Sequence, residues 1–314
     1  DFWKDVEKYK ANKFIYVGEL CRYLMNMPAS EHDKFNSITR ISGNGLRPDI
    51  WKSFQERFNI KKIVEIYGAT EAVGMTVNSA GRSGMIGRKR SDSSIIKCNK
   101  DDGSPILNNK GFCTKVSEGE TGLYIQKISS SAKFQGYLDS QASNKKILQN
   151  VFAEGDHYFN TGDLITLHDN NWLSFADRVG DTYRWKSENV STMEVAAILN
   201  NAIGVMDCNV YGVKIDSAEG KAGMAAMNVS DEFNFNSFTD HVNKNLNTFQ
   251  RPYFLRLTKD MKTTGTFKHQ KEDLKKQGFD PNLITDKLYF YQKDSYIEID
   301  NNLFTRIHSG EERF

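Results

Sequence analysis

Apolar residues in the first 80 positions fall into short runs separated by segments of helical spacing. The runs predict three buried strands, at 14–17, 38–41 and 63–67. Between the second and third runs, Trp51 and Phe54 recur at helical spacing, and Pro48 suits the first turn of such a helix. Strands that alternate with helices favour a parallel sheet, so the pattern predicts an α/β fold for this part of the chain.

The pattern changes after about residue 81, where glycine and asparagine frequently interrupt short apolar runs. This favours a small β subdomain that completes a larger domain. Two apolar runs, 164–167 and 172–175, then flank the polar residues 169–171 and predict a hairpin, because asparagine tolerates the positive backbone dihedral of a tight turn. A polar and charged stretch follows at 177–189, and we interpret it as a hinge.

The residues after this stretch predict a second, smaller domain of the α+β type. Ser191 and Glu194 have the spacing of a capping box that opens a helix. Apolar runs then predict strands at 209–213, 224–227 and 253–257. We therefore expect two domains, 1–179 and 180–314, of which the second is compact enough to move as a unit.

Composition narrows the classes of function. The chain has 314 residues, of which 39% are hydrophobic and 26% charged, as in an ordinary globular protein. A formal net charge of +2 gives no electrostatic footprint for nucleic acid. No apolar run is long enough to span a bilayer. The four cysteines lack the spacing of metal ligands and fit buried thiols in a reducing compartment.

The first candidate for chemistry is the pentad Tyr-Gly-Ala-Thr-Glu at 67–71, which follows the third predicted strand. A turn at the carboxyl end of a parallel strand is where α/β sheets place ligands. Gly68 would let the backbone approach a nucleotide, the hydroxyl of Thr70 can donate to a phosphate oxygen, and the carboxylate of Glu71 can hold Mg²⁺. Taken alone, the pentad is better explained as a strand end capped by threonine and glutamate.

Two further motifs decide between these interpretations. The Thr-Gly-Asp segment at 161–163 precedes Arg-Val-Gly-Asp at 178–181, and Arg-Trp-Lys-Ser-Glu-Asn-Val-Ser-Thr follows at 184–192. Together with the pentad, they resemble the adenylate-forming (acyl-CoA synthetase) superfamily, and within it the fatty acid transport protein branch, the very-long-chain acyl-CoA synthetases. The resemblance implies the C-terminal part of a large AMP-binding domain, with parallel βα units and a small β subdomain, followed by a small mobile α+β domain.

The resemblance also implies roles for individual residues. Asp163 would hold the ribose hydroxyls of ATP, Arg178 would also reach the nucleotide, and Tyr67 would stack near adenine. The adenine side would further be lined by Gly43, Asn44 and Gly45. Thr70 would contact phosphate, Glu71 would bind Mg²⁺, and the backbone near Gly180 would be the pivot between the domains.

The sequence departs from the family pattern at three places. Ser187 stands where the branch shows glycine, and Ala72 and Val73 follow the pentad where the family commonly has Gly-Asn. The loop Thr-Thr-Gly-Thr-Phe-Lys at 263–268 resembles the catalytic-lysine loop, but Thr266 occupies the position of that lysine in the wider superfamily. Lys268 is therefore the candidate catalytic lysine by proximity only.

The function that the resemblance implies is ATP-dependent activation of long-chain or very-long-chain fatty acids to acyl-CoA through an acyl-adenylate, coupled to fatty acid uptake. The implied cofactors and partners are ATP, Mg²⁺, CoA and the fatty acid, with no nucleic acid. The alternative is a fatty acid transport or binding module without turnover. A different adenylate-forming enzyme, such as an amino-acid-activating or luciferase-like one, is disfavoured by the run at 184–192.

The resemblance covers nearly all of this chain but only the C-terminal part of a typical family member. The preceding part would carry a membrane anchor and a phosphate loop rich in serine, threonine and glycine. We therefore expect the full-length protein to be membrane-associated, at the endoplasmic reticulum, peroxisome or plasma membrane, with the enzymatic part facing the cytosol. The 314-residue chain alone is expected to be inactive.

Overall fold

A computed structural model describes residues 2–17, 20–68, 73–100, 102–129, 146–216, 218–259, 261, 271–312 and 314. Contacts between Cα atoms divide the chain into two compact units, Asp1–Val179 and Gly180–Phe314. The first unit contains two sheets and the second contains one large sheet and a short hairpin.

The first sheet has four strands in the order β1-β2-β3-β4. Its strands are β1 (Lys13–Val17), β2 (Arg40–Asn44), β3 (Lys62–Tyr67) and β4 (Thr76–Asn78). The first three are parallel, and β4 runs antiparallel to β3. The helices of this region are α1 (Phe2–Tyr9), α2 (Leu20–Asn26) and α3 (Pro48–Arg57). The predicted α/β fold is confirmed, although the second strand begins two residues later than expected.

The residues that the apolar pattern predicts to face inward form a core beside this sheet. Trp51 is 1% exposed and Phe54 is fully buried, as the helical spacing predicts. Both lie in one apolar cluster with the sheet residues Ile41 and Ile63. Ile38, which the pattern places in the second strand, is buried in the same cluster. It precedes Arg40, the first residue of β2 that pairs with β1, so Ile38 is buried by side-chain packing and not as part of the strand.

The second sheet is antiparallel and follows the order β5-β10-β9-β7-β6, with β8 also paired to β9. Its strands are β5 (Gly87–Arg88), β6 (Ser93–Ile96), β7 (Thr121–Lys127), β8 (Ile147–Gln149), β9 (His157–Leu167) and β10 (Trp172–Arg178). The predicted hairpin joins β9 and β10. Asn170 and Asn171 have φ values of +54° and +59°, so both asparagines take the positive dihedral that the turn requires.

The second unit is built on a five-stranded sheet in the order β13-β14-β15-β16-β17. The strands are β13 (Val205–Lys214), β14 (Lys221–Val229), β15 (Phe254–Leu257), β16 (Lys287–Gln292) and β17 (Ser295–Glu298), and only the β14–β15 pair is parallel. The helices are α4 (Thr192–Leu199), α5 (Phe235–Asn245), α6 (Glu272–Gln277) and α7 (Asn301–Ser309). Ser191 Oγ accepts from the backbone N of Glu194 at 3.3 Å, so Ser191 caps the start of α4 as predicted.

The interpretation of 177–189 as a polar hinge is wrong over most of its length. β10 continues to Arg178, and β11 (Tyr183–Trp185) pairs with β12 (Glu188–Val190) in an antiparallel hairpin. Tyr183 and Trp185 are each 2% exposed and belong to the core of the second unit. The alternating aromatic residues drive this segment into the core despite its charged neighbours, because large apolar side chains dominate the burial energy. Only 179–182, between β10 and β11, and the turn residues 186 and 187 lie outside the strands.

The turn of this hairpin leads to a prediction about Ser187. Lys186 and Ser187 have φ values of +50° and +66°, the conformation of a two-residue turn that favours glycine at its second position. Ser187→Gly should therefore raise the free energy of unfolding by about 0.5–1 kcal/mol, because a side chain is strained in this region. Urea unfolding measures the change. Ser187→Ala is the matched control, and a glycine variant no more stable than the alanine variant would contradict this explanation.

Candidate active site

The carboxyl ends of β2 and β3 bring four of the predicted site residues to one edge of the first sheet. β2 ends at Asn44, with Gly43 just before it and Gly45 just after, and β3 ends at Tyr67. Because β2 and β3 are parallel, these ends meet at the same edge. Gly45 has a φ of +85°, so the chain turns sharply as it leaves β2. The resemblance implies that adenine binds at this edge.

Gly43 is required by packing within the sheet. Tyr16, Gly43 and Glu65 lie opposite one another on β1, β2 and β3. A Cβ atom on Gly43 would lie 1.9 Å from the carbonyl oxygen of Tyr16 and 2.8 Å from its Cγ. The Tyr16 side chain therefore passes over Gly43, and its hydroxyl donates to the carboxylate of Glu65. Contact between Gly43 and adenine stays a prediction.

The second group of predicted residues meets around the carboxylate of Asp163. The Tyr67 hydroxyl donates to Oδ2 of Asp163 at 2.5 Å, and Nε of Arg178 lies 3.2 Å from Oδ1. Asp163 and Arg178 are opposite each other on β9 and β10. Asp163 is 8% exposed, whereas the Arg178 side chain is 59% exposed. Residues 96 positions apart thus form one cluster, which links the end of β3 to the second sheet.

Local hydrogen bonds fix the Thr-Gly-Asp segment that carries this carboxylate. Oγ1 of Thr161 donates to the carbonyl of Tyr124 at 2.8 Å and accepts from the backbone N of Asp163 at 3.1 Å. Gly162 has a φ of +77°, and its carbonyl accepts from the backbone N of Val179 at 2.9 Å. The segment is therefore an irregularity within β9, and it holds Asp163 in place rather than forming a free turn.

Burial and neighbouring charged groups shift the pKa values of both Asp163 and Tyr67. Burial raises the pKa of Asp163, while the Tyr67 hydrogen bond and the positive charges of Arg178 and Lys146 oppose that rise. Burial, and then the charge of Asp163, raise the pKa of Tyr67, so its hydroxyl stays protonated. Lys146 was missed by the sequence analysis. It lies in a polar stretch without a motif, and only tertiary packing brings it near Gly162 and Asp163.

This cluster has the chemistry of a site for a neutral diol. An ionised carboxylate offers about four acceptor positions, and the donors described here use two of them. Two adjacent hydroxyl groups could therefore donate to Asp163 while Tyr67 and Arg178 hold its orientation. The exposed guanidinium of Arg178 provides a cation beside this position that can reach an anionic or polar ligand.

The remaining predicted site residues, Thr70, Glu71 and Lys268, lie outside the described residues. Their assignments to phosphate, Mg²⁺ and catalysis therefore stay predictions. Within the described ranges, no group of three or more His, Cys, Asp and Glu side chains could hold a metal ion. Nor does any helix in those ranges have the length and apolar character needed to cross a membrane.

Glu65 is a second buried carboxylate that the sequence analysis missed. It is 4% exposed, and its Oε1 accepts from the backbone N of Gly45 at 2.6 Å, in addition to the bond from Tyr16. Burial, followed by the charge of Glu65 and a smaller effect of Cys21, raises the pKa of Tyr16, so the hydroxyl remains a donor. The available signal was a glutamate in the run Ile-Val-Glu-Ile-Tyr, at the same alternation as the buried Ile63.

Glu65 should make the protein more stable in mild acid than at neutral pH. Burial raises its pKa to about 7, from an ordinary value of 4.5. Between these pH values the folded state keeps a proton that the unfolded state releases. The free energy of unfolding therefore falls as the pH rises, by about 3 kcal/mol in total.

Glu65→Gln removes this titration, since an amide does not ionise. The stability of the wild type relative to the variant should therefore increase between about pH 7.5 and about pH 5. Urea unfolding of both proteins at both pH values measures this change. A stability difference that does not depend on pH would rule out the raised pKa.

Comparisons with known proteins show what the chain is similar to. A family model described as AMP-binding enzyme matches residues 1–112. Long-chain fatty acid transport protein 3 of Mus musculus is 39% identical over 323 residues, which cover 99% of this chain and 48% of that protein. Long-chain fatty acid transport protein 6 of Mus musculus is 40% identical over 321 residues, which cover 99% of this chain and 52% of that protein. This chain thus spans about half the length of these relatives.

Solved structures share the fold at low sequence identity. The crystal structure of ATP-bound MatB from Rhodopseudomonas palustris has a TM-score of 0.70 at 17% identity and covers 88% of this chain and 53% of its own. The anthranilate CoA ligase AuaEII in complex with anthranoyl-AMP has a TM-score of 0.69 at 18% identity, with coverage of 88% and 50%. Over 99% of its length the chain is thus similar to long-chain fatty acid transport proteins, and its residues 1–112 match the AMP-binding enzyme family.

Proposed function

We propose that this chain takes part in the ATP-dependent activation of a long-chain or very-long-chain fatty acid to its CoA thioester. The observation that carries the proposal is the buried carboxylate of Asp163, oriented by Tyr67 and Arg178 at the end of β3. The names of the matched relatives support the fatty acid as substrate. The structures solved with ATP or an acyl-AMP support the nucleotide and the adenylate intermediate.

The reaction would proceed in two displacements. An oxygen of the fatty acid carboxylate attacks the α-phosphorus of ATP, the bond to the bridging oxygen breaks, and pyrophosphate leaves. The CoA sulfur then attacks the acyl carbonyl, and AMP leaves as the thioester forms while the thiol proton passes to solvent. The first step requires that the bound nucleotide be held in place and that charge at the phosphates be neutralised.

Residues of this chain would supply part of both requirements. Asp163 would accept hydrogen bonds from the two ribose hydroxyls, and Arg178 would reach the same end of the nucleotide. Mg²⁺, when bound, would neutralise phosphate charge, and Glu71 is the residue that we propose to hold it. Thr70 and Lys268 would donate to phosphate oxygens. These three roles rest on the resemblance of their motifs.

The two units fit the proposed division into part of a large AMP-binding domain and a small mobile domain. Gly180, the first residue of the second unit, has a φ of +80°. Its carbonyl accepts from Nζ of Lys275 at 3.1 Å, and Asp181 pairs with Lys275 and Lys271 at 2.9 and 3.2 Å. These contacts anchor residues 180 and 181 to α6 and to Lys271, the residue that precedes it. We propose that the pivot lies at the bond between Val179 and Gly180.

The second candidate function is fatty acid transport or binding without turnover. The names of the matched relatives favour it, since they describe transport rather than ligation. The two functions differ in one product. Pyrophosphate released from ATP by the full-length protein in the presence of Mg²⁺ and a long-chain fatty acid, and not in the absence of the fatty acid, would support activation. Binding of the fatty acid without any release would support the transport module.

A further inference from the structure

The carboxylate of Glu65 connects three strands at the edge of the first sheet where the nucleotide is proposed to bind. On β3, its side chain points into the core and is 4% exposed. One oxygen accepts from the hydroxyl of Tyr16 on β1. The other accepts from the backbone N of Gly45, the residue that follows β2, at 2.6 Å. The backbone of Leu46 also interacts with this carboxylate.

The backbone at Gly45 depends on this contact. Gly45 has left the β2–β3 ladder, whose last pair is Gly43 with Glu65, so a ladder bond does not fix it. Its φ of +85° turns the chain away from the sheet. The carboxyl group of Glu65 reaches past the end of the ladder to its N–H, and the bond of 2.6 Å is short for a nitrogen donor.

A purely structural role would be served better by an apolar residue. Ile41 and Ile63 occupy the same buried face and need no partners, whereas a buried carboxylate is costly unless both oxygens are hydrogen-bonded. Tyr16 is fully buried and satisfies one oxygen, which leaves the other to hold the turn. Gly43 completes the arrangement, because only a glycine lets the Tyr16 side chain cross β2.

We propose that Glu65 is a positioning residue for the nucleotide site: with Tyr16, it fixes the turn at Gly45 and thereby sets the affinity for the adenosine part of ATP. This inference rests on the proposed function for the identity of the ligand. The placement of the turn by Glu65 does not depend on that identity, so the two claims can be tested separately.

The test compares Glu65→Leu with Glu65→Gln. Leucine loses both hydrogen bonds, whereas the amide oxygen of glutamine can still accept from Gly45 and its NH2 group can donate to the Tyr16 oxygen. Hydrogen exchange at the amide of Gly45 reports the turn directly. We expect exchange roughly tenfold or more faster in Glu65→Leu than in the wild type, and within about threefold of wild type in Glu65→Gln.

Binding of ATP, adenosine and inorganic tripolyphosphate to the same proteins reports the consequence for the site. Glu65→Leu should weaken the binding of ATP and adenosine about tenfold and leave the affinity for tripolyphosphate unchanged. In Glu65→Gln the affinities for ATP and adenosine should be close to those of the wild type. If Glu65→Leu does not fold, Tyr16→Phe replaces it in the test. This variant removes only the hydroxyl that donates to Glu65, and it should weaken the binding of ATP about threefold.

Three outcomes would be decisive. If hydrogen exchange at Gly45 is unchanged in Glu65→Leu, the positioning role is overturned. The same holds if Tyr16→Phe changes neither the exchange at Gly45 nor the ATP affinity. A Glu65→Leu protein with a lower melting temperature but normal affinity for every ligand would also overturn the positioning role, because Glu65 would then contribute only to stability. If the wild type binds neither ATP nor adenosine, the proposed function fails, and the exchange at Gly45 alone then decides whether Glu65 holds the turn.

Discussion

Asp163→Ala is expected to weaken ATP binding about 10- to 100-fold, corresponding to the loss of about 1.5–3 kcal/mol of hydrogen bonding to a charged group. The carboxylate is buried and already oriented by Tyr67 and Arg178, so the ribose hydroxyls would bind a preorganised acceptor. The variant also leaves the Tyr67 hydroxyl without its acceptor. Asp163→Asn, which keeps one carbonyl oxygen, should show a smaller loss.

Asp169→Ala is the matched control for this prediction. Asp169 lies in the turn of the same β9–β10 hairpin and pairs with Arg82 at 3.1 Å, but its side chain is 61% exposed. Its removal should leave the ATP affinity within about twofold of wild type, since exposed ion pairs contribute little. Titration calorimetry measures both variants. Equal ATP affinities for wild type and folded Asp163→Ala would remove Asp163 from the site.

Gly43→Ala is expected to lower the free energy of unfolding by about 3 kcal/mol, at the upper end of the cost of overpacking. The added Cβ would lie 1.9 Å from a backbone oxygen on β1, so a side-chain rotation cannot relieve the clash. The two strands would have to separate where Tyr16 crosses to Glu65. We therefore expect ATP affinity to fall as well, because the turn at Gly45 would move with β2.

Gly68→Ala provides the comparison for Gly43→Ala. Gly68 follows β3 at the same edge, and its added Cβ would meet the Cβ of Met75 at 3.1 Å. Met75 is 59% exposed and can shift, so the stability should change by no more than about 1 kcal/mol. Guanidinium unfolding of both variants gives the two free energies. A Gly43→Ala protein as stable as Gly68→Ala would show that β1 and β2 can separate without loss.

The sequence was sufficient where the structure depends on local periodicity. The buried positions of Trp51 and Phe54 follow from helical spacing, and the turn at Asn170 follows from the dihedral preference of asparagine. The Thr-Gly-Asp segment and the pentad at 67–71 were recognisable as motifs. Their meeting through Tyr67 and Asp163 was implied only by the resemblance, since no local rule joins residues 96 positions apart.

The features that could not be predicted all depend on contacts between distant segments. Lys146 approaches Asp163 from a stretch without a motif. Glu65 reads as a single charged residue in an apolar strand, and its partners become apparent only when Tyr16 and Gly45 are placed beside it. The stretch at 177–189 is predicted as a hinge because of its many charged residues. The aromatic residues Tyr183 and Trp185, which alternate with charged neighbours, are in fact core residues.

The most direct test of the central claim is the exchange of labelled pyrophosphate into ATP, which reports the reversible formation of an acyl-adenylate. We predict that the full-length protein catalyses an exchange that requires Mg²⁺ and a long-chain fatty acid, that is reduced at least about tenfold by Asp163→Ala, and that is unaffected by Asp169→Ala. Absence of exchange in a full-length wild-type protein that binds both ATP and the fatty acid would contradict activation and favour the transport module. Exchange that is undiminished in Asp163→Ala would contradict the site.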